Sequence, residues 1–377
     1  MTDQNPLSGA PADISHLVRE RVEARTRHDW ARADALKAQI EAAGWRVTDR
    51  RGRSSVSPIA PPNVEVDGEI RYGSAAGVPS VLQTPAMTAW TVVIVASETP
   101  ERVSGLLLGL RDHAAAGTQV VIVANDPSEA QAAALQADAP DRAPIGGAVP
   151  ETVRTSARLG YAAVLNIAMQ RATGDLVLLA DGTARPTGDA LSGLAEALGD
   201  PTVAAAGAFG LYSPADEPFQ PTDLDREPGE AEDAGEGTAA NASAPTALEG
   251  AWLAFRRADY IELGPFDERF VTASWLDVWW SLRLRAGAEP EGWTQSEPSE
   301  PRDEDEWSAD PASEPAPTTA DEIEVEADYV FTEPRRAVRL ELPLDRVDVA
   351  WPPDRARLNR RNMYRVLDRF GRRIDLS

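Results

Sequence analysis

The chain has 377 residues, enough for one large domain with a full core and a smaller module at one end. It contains no cysteine, which excludes disulfides and thiolate metal sites and points to a reducing compartment. A net charge of −24 argues against nucleic acid and anionic membranes only until its distribution is read, because residues 213–248 and 289–328 carry −22 of it and the ends of the chain are locally basic.

Residues 1–13 lack the basic flank and apolar stretch of a secretion signal, and no later segment approaches the ~18 apolar residues of a membrane span. A soluble cytoplasmic protein is the expectation. Residues 13–53 read as a helical hairpin, with one stripe at Ile14, Leu17, Val18 and Val22 and a second at Trp30, Ala33, Leu36 and Ile40. Asp29 is set to cap the second helix, and Gly44 ends it. Residues 54–86 turn to Ser, Pro and Gly and predict a linker with at most a short strand.

From residue 87 the pattern changes. The run from Thr91 to Ala96 predicts a strand buried on both faces, followed by an amphipathic helix from Pro100 to Ala115. A second strand is predicted over 119–124, helices over 128–136 and 159–172, and a third strand over 175–180. Alternating β and α elements predict an α/β fold with a mostly parallel sheet flanked by helices. The two acidic stretches, 213–248 and 289–328, hold too few large apolar residues to offset their ordering entropy and are expected to be disordered insertions. Residues 353–370 predict a last helix with Leu358, Met363, Val366, Leu367 and Phe370 on one face and six arginines on the other. Such a basic face suits a pyrophosphate, an anionic headgroup or RNA, the chain's own acidic insertions, or plain solvent.

Two resemblances cover different parts of the chain. Arg25-Thr26-Arg27-His28-Asp29-Trp30-Ala31, Ala33 to Lys37 and Gly44 to Asp49 make residues 17–57 similar to the C-terminal tail of cysteinyl-tRNA synthetases. That tail implies a contact with tRNA, or with a protein, through the hairpin; the synthetases' catalytic domain has no counterpart here. The rest, residues 87–377, resembles glycosyltransferase family 2. The resemblance is carried by Leu159-Gly160-Tyr161-Ala162-Ala163 through Asn166, by Ala172-Thr173-Gly174-Asp175 into Ala180-Asp181-Gly182-Thr183, and by a block from Gly250 through Gly264-Pro265-Phe266-Asp267 to Arg285.

This second resemblance implies the GT-A fold, a Rossmann-like α/β sheet, and inverting transfer of a sugar from a nucleotide-sugar donor to an acceptor that the sequence does not name. It also implies Mg²⁺ or Mn²⁺ on an Asp-x-Asp triplet. Here the triplet is Ala180-Asp181-Gly182, so Asp181 remains as the metal and diphosphate candidate and the carboxylate set is incomplete. An aspartate that reads the nucleotide base in relatives maps to Ala124-Asn125-Asp126, which leaves Asp126 as the candidate. Asp277, where relatives carry Glu-Asp, is the candidate general base. Arg256 and Arg257 are candidates for holding phosphate by bidentate contacts.

Each candidate has a plainer alternative. Asp181-Gly182 also suits a turn, Asp277 a helix cap, and Asp126 a solvated loop. Trp279 and Trp280 suit either core packing or an aromatic platform. Two functions stay open: a transferase with arginine replacing the missing metal carboxylates, and a catalytically degenerate glycosyltransferase-fold protein that acts as a scaffold.

Overall fold

The computed structural model describes residues 12–50, 53–97, 99–137, 144–211, 245–287, 334–347, 362–366 and 369–370. Helices α1 (Ala12–Thr26) and α2 (Trp30–Ala42) form the expected hairpin, and the Asp29 side chain caps α2 by accepting the Arg32 N–H at 3.1 Å. Ile14, Val18 and Ile40 make a small core, closed by Trp45, Val47 and Val56 of an antiparallel pair, β1 (Trp45–Arg50) and β2 (Arg53–Pro58). The linker expected from residue 54 therefore begins inside a strand. Trp30, expected in the buried stripe, is 54% exposed, and Val22 is also exposed. Position Arg21 replaces Val22 on the buried side: its guanidinium donates twice to Asp49, at 3.2 and 2.8 Å. That pairing, with Ser54 and Arg25 adding to it against the opposing effect of burial, holds the Asp49 carboxyl down to about 2.

The remaining strands build one nine-stranded sheet and two two-stranded ones. In chain order the elements are β3 (Val64–Val66), β4 (Glu69–Tyr72), β5 (Thr88–Ala96), α3 (Pro100–His113), β6 (Thr118–Ala124), α4 (Glu129–Ala137), β7 (Glu151–Thr155), α5 (Tyr161–Gln170) and β8 (Gly174–Ala180). Then come β9 (Ala184–Pro186), α6 (Ser192–Gly199), β10 (Val203–Gly207), β11 (Gly210–Leu211), β12 (Ala247–Leu248), β13 (Trp252–Arg256), α7 (Arg257–Leu263), α8 (Leu276–Ala286), β14 (Arg336–Arg339) and β15 (Leu344–Arg346). The order of the nine-stranded sheet is β14-β10-β13-β8-β5-β6-β7-β4-β3, and all its strands but β13 and β3 run in one direction; the two-stranded sheets are β11-β12 and β15-β9. The fold is thus mixed α/β, with a mostly parallel sheet flanked by helices.

The β-branched runs are explained by burial on both faces. Val93 of β5 lies in one core with Leu165 and Met169 of α5 and Trp280 and Leu284 of α8, while Val92 and Ile94 lie in a second with Leu106 and Leu110 of α3 and Leu194 and Leu198 of α6. Trp279 and Trp280 are both buried, so the packing reading of these two rings holds.

Most of the two acidic stretches lies outside the described residues. The end of the first does not behave as an insertion: Thr246, Ala247 and Leu248 are buried, and β12 pairs with β11. Of the last helix, residues 362–366 and 369–370 are described, and Val366 and Phe370 join the core as their spacing predicted. Asn362 is buried as well, donating to Thr272 Oγ1 at 3.1 Å and to the Ser274 carbonyl at 2.9 Å. The helix's Leu358 and Leu367 and its arginines at 355, 357, 360 and 361 lie outside the described residues.

Candidate functional site

In an open parallel sheet the loops that follow the strands' C-terminal ends gather on one rim, where ligands bind. The loop after β6 carries Asp126 there and the loop after β8 carries Asp181; β13, which runs the other way, starts there at Trp252, opposite Ala180. Because β6 and β8 flank β5, Asp126 and Asp181 follow strands two spacings apart, about 10 Å.

Asp181 forms a turn. Its Oδ1 accepts the Thr183 N–H at 2.8 Å and the Thr183 hydroxyl, and its own N–H donates to the Ala251 carbonyl at 3.2 Å. Gly182 is required there, because a Cβ would meet the Arg102 main chain at 2.7 Å. This geometry does not fit a resident Mg²⁺ or Mn²⁺. The turn offers one carboxylate with an oxygen already committed, flanked by Ala180 and Gly182, and hard cations need several oxygen ligands. Among the described residues no group of three or more His, Asp or Glu is set to hold a metal ion.

Asp277 lies in the first turn of α8, two residues after Trp275, which takes a left-handed conformation with φ 68°. Its Oδ2 accepts the Gly250 N–H at 3.1 Å, and the two residues pack closely, since a Cβ at Gly250 would be in van der Waals contact with the Asp277 Cβ at 3.4 Å. Burial pushes the Asp277 carboxyl up to about 6; the Gly250 and Val278 N–H groups oppose the rise and the Glu249 charge adds to it. Gly250 and Ala251 are consecutive, so one short segment bonds both aspartates. Tyr161, the first residue of α5, lies close to both: burial first, then the Asp181 and Asp277 charges, raise its phenol above the usual range.

The surrounding loops are pinned. Asn166 donates to the Phe266 carbonyl and Glu268, and its Oδ1 accepts from Tyr260 and the Phe266 N–H, so the amide's bonding capacity fixes the segment leading towards α8. The first N–H groups of α5 donate to the Phe270 and Val271 carbonyls. Asn125, not Asp126, turns inward: it exchanges two bonds with the Leu159 main chain, at 3.0 and 2.8 Å. Asp126 is exposed with φ 43°, its N–H on Thr155 Oγ1.

Arg256 and Arg257 are not brought to this rim. β13 is antiparallel, so residue 256 sits opposite Leu176, at the other end of the sheet. Arg256 donates to the Val203, Leu198 and Asp200 carbonyls, and Arg257, itself buried, to the Val81 and Thr84 carbonyls. Both guanidiniums are structural struts, the correction that strand direction imposes on their reading as phosphate ligands.

An arginine that sequence reasoning did not single out does reach the rim. β15 pairs with β9, Arg346 opposite Ala184, and the Val347 N–H donates to the Thr183 carbonyl at 2.8 Å. Arg346 Nη2 is 2.8 Å from Glu249 Oε2, and its guanidinium lies 4.4 Å over the Phe209 ring. Tyr161 and Gly250 were legible as parts of matched blocks. Arg346 was not, because only the β15–β9 pairing carries it to Asp181.

No family model matches the chain. A cysteine–tRNA ligase from Opitutus terrae is 40% identical over 53 residues, 14% of this chain and 12% of that protein. Among solved structures, the mannosyltransferase PcManGT from Pyrobaculum calidifontis, in complex with GDP-Man and Mn²⁺, is 19% identical with a TM-score of 0.40, covering 56% of this chain and 55% of that one. GalNAc-T7 with UDP, GalNAc and Mn²⁺ gives 14% and 0.41 over 53% and 40%, and S. aureus TarS 14% and 0.35 over 52% and 33%. The chain thus spans about half or less of each of these proteins. No helix among the described residues is long and apolar enough to cross a membrane.

Proposed function

We propose that the sheet-bearing part of the chain is a glycosyltransferase that moves a sugar, with inversion, from a nucleotide-sugar donor to an acceptor hydroxyl. The observation that carries this reading is the pair of aspartates joined through Gly250 and Ala251 at the C-terminal rim, one of them with its carboxyl raised to about 6. Such a carboxylate is ionised at neutral pH and is still a better proton acceptor than an exposed aspartate. In the proposed step Asp277 takes the proton of the acceptor hydroxyl as its oxygen attacks the anomeric carbon. The bond from that carbon to the diphosphate breaks, and the electron pair leaves with the diphosphate. Asp126 is the candidate for contact with the nucleobase, and the Asp181 turn lies beside the leaving group.

The test is transfer to a panel of acceptor sugars from UDP-, GDP- and dTDP-sugars, preceded by calorimetric titration with the three nucleotides. Binding of one nucleotide class, transfer with inversion, and loss of transfer without loss of binding in Asp277→Asn are expected. Failure of the unsubstituted chain to bind any of the three at millimolar concentration sinks the proposal. Binding of tRNA or protein by the N-terminal hairpin is a separate expectation. It rests on the short ligase likeness and is tested by salt-dependent tRNA titration.

A further inference from the structure

The Asp181 turn does not suit a metal, yet a leaving diphosphate needs a counter-charge. We infer that Arg346 supplies it, and that Glu249 holds this arginine at the rim until a nucleoside diphosphate takes the carboxylate's place; the inference rests on the transferase reading above.

Five contacts close a circuit around the two aspartates. Arg346 pairs with Glu249 at 2.8 Å, and Gly250, the next residue, donates to Asp277. Ala251 accepts from the Asp181 N–H, and Thr183, bonded to Asp181 Oδ1, accepts from the Val347 N–H. The guanidinium is therefore anchored on both sides of the aspartate pair by main chain that also positions those aspartates. Its side chain is 48% exposed and that of Glu249 27%. An ion pair this accessible is weak in water, whereas a planar guanidinium meets phosphate oxygens by two parallel bonds. Exchange of one anion for the other is therefore favoured. The Phe209 ring under the guanidinium keeps its plane fixed during the exchange. Arg256 and Arg257, the arginines that the sequence singled out for phosphate, are unable to substitute, since main-chain carbonyls at the opposite rim hold them.

The experiment titrates the full chain with UDP, GDP, UMP and GMP in EDTA, then again with Mn²⁺. Arg346→Gln, Arg346→Lys and Glu249→Gln are compared with the unsubstituted chain, each checked for an unchanged melting transition. Metal-free diphosphate binding is expected, weakened about tenfold by Arg346→Gln with little effect on the monophosphates, partly restored by Arg346→Lys, and strengthened by Glu249→Gln. Diphosphate binding that needs Mn²⁺, or that Arg346→Gln leaves unchanged, overturns the inference while the transferase reading stands. Absence of any nucleotide binding by the unsubstituted chain overturns both.

Discussion

The two rims of the sheet use arginine in opposite ways. At the N-terminal rim Arg256 donates to three carbonyls around the end of α6 and the start of β10, and Arg335 pairs with Asp259 at 2.9 Å while donating to Leu284. There each guanidinium satisfies main-chain oxygens that a helix end leaves without partners. At the C-terminal rim the half-exposed Arg346 meets one carboxylate and an aromatic face. A cation saturated by carbonyls is part of the frame, and one resting on a single exchangeable anion is available to a ligand. Residue type and proximity to a motif do not separate the two cases; the direction of the strand that carries each arginine does.

The largest effect that sharpens this contrast is at Asp277. Asp277→Asn keeps an acceptor for the Gly250 N–H but cannot take a proton, so the transfer rate should fall by about 10² to 10⁴. The same variant should be more stable at neutral pH. The folded state raises this carboxyl from 3.8 to about 6, so it binds the proton more tightly than the unfolded chain, and stability falls as pH rises through that window. Removing the charge should return about 3 kcal/mol, read by denaturant unfolding at pH 7 and absent at pH 3. On the transferase proposal, activity of the unsubstituted chain should decline below about pH 6 as Asp277 takes up its proton.

How much of this was legible beforehand differs between the rims. The runs of β5, β6 and β8 read correctly because burial on both faces leaves continuous β-branched sequence, and Asp29, Asp181 and Asp277 were legible because turns and helix starts have short-range signatures. β10, an alanine-rich stretch from Val203, and the short β9 and β15 carry no such signature, since their strand character comes from neighbours far along the chain. The misassigned Arg256 and the missed Arg346 both follow from those strands. The antiparallel sense of β13 and the β15–β9 pairing are tertiary facts.

Next in size is Arg256→Ala, which strands the Leu198, Asp200 and Val203 carbonyls and should cost about 3 kcal/mol of stability while leaving nucleotide affinity unchanged in the folded protein. An effect on nucleotide binding alone would erase the distinction between the rims. Asp181→Asn retains the acceptor for Thr183, and by removing a negative charge beside the diphosphate it should tighten metal-free UDP or GDP binding about threefold. Weaker binding, especially if Mn²⁺ rescues the parent and not the variant, would restore the metal reading of this turn. The smallest effect is expected at Asp126→Gly. Relief of the left-handed backbone at φ 43° should add about 0.5 kcal/mol, and any loss of nucleotide affinity then reports the exposed carboxylate itself.

Asn362 ties the site to the order in which the molecule assembles. It bonds Thr272 and the Ser274 carbonyl across 90 and 88 residues of chain, and Val366 and Phe370 seal the same side of the core. The loop leading into Asp277 is thus held by a segment that has to return over a long closure, whereas β5 and β6 pair through a short crossover. In refolding, the β5–β6 pair should form early, ahead of the loop leading into the proposed base, Asp277.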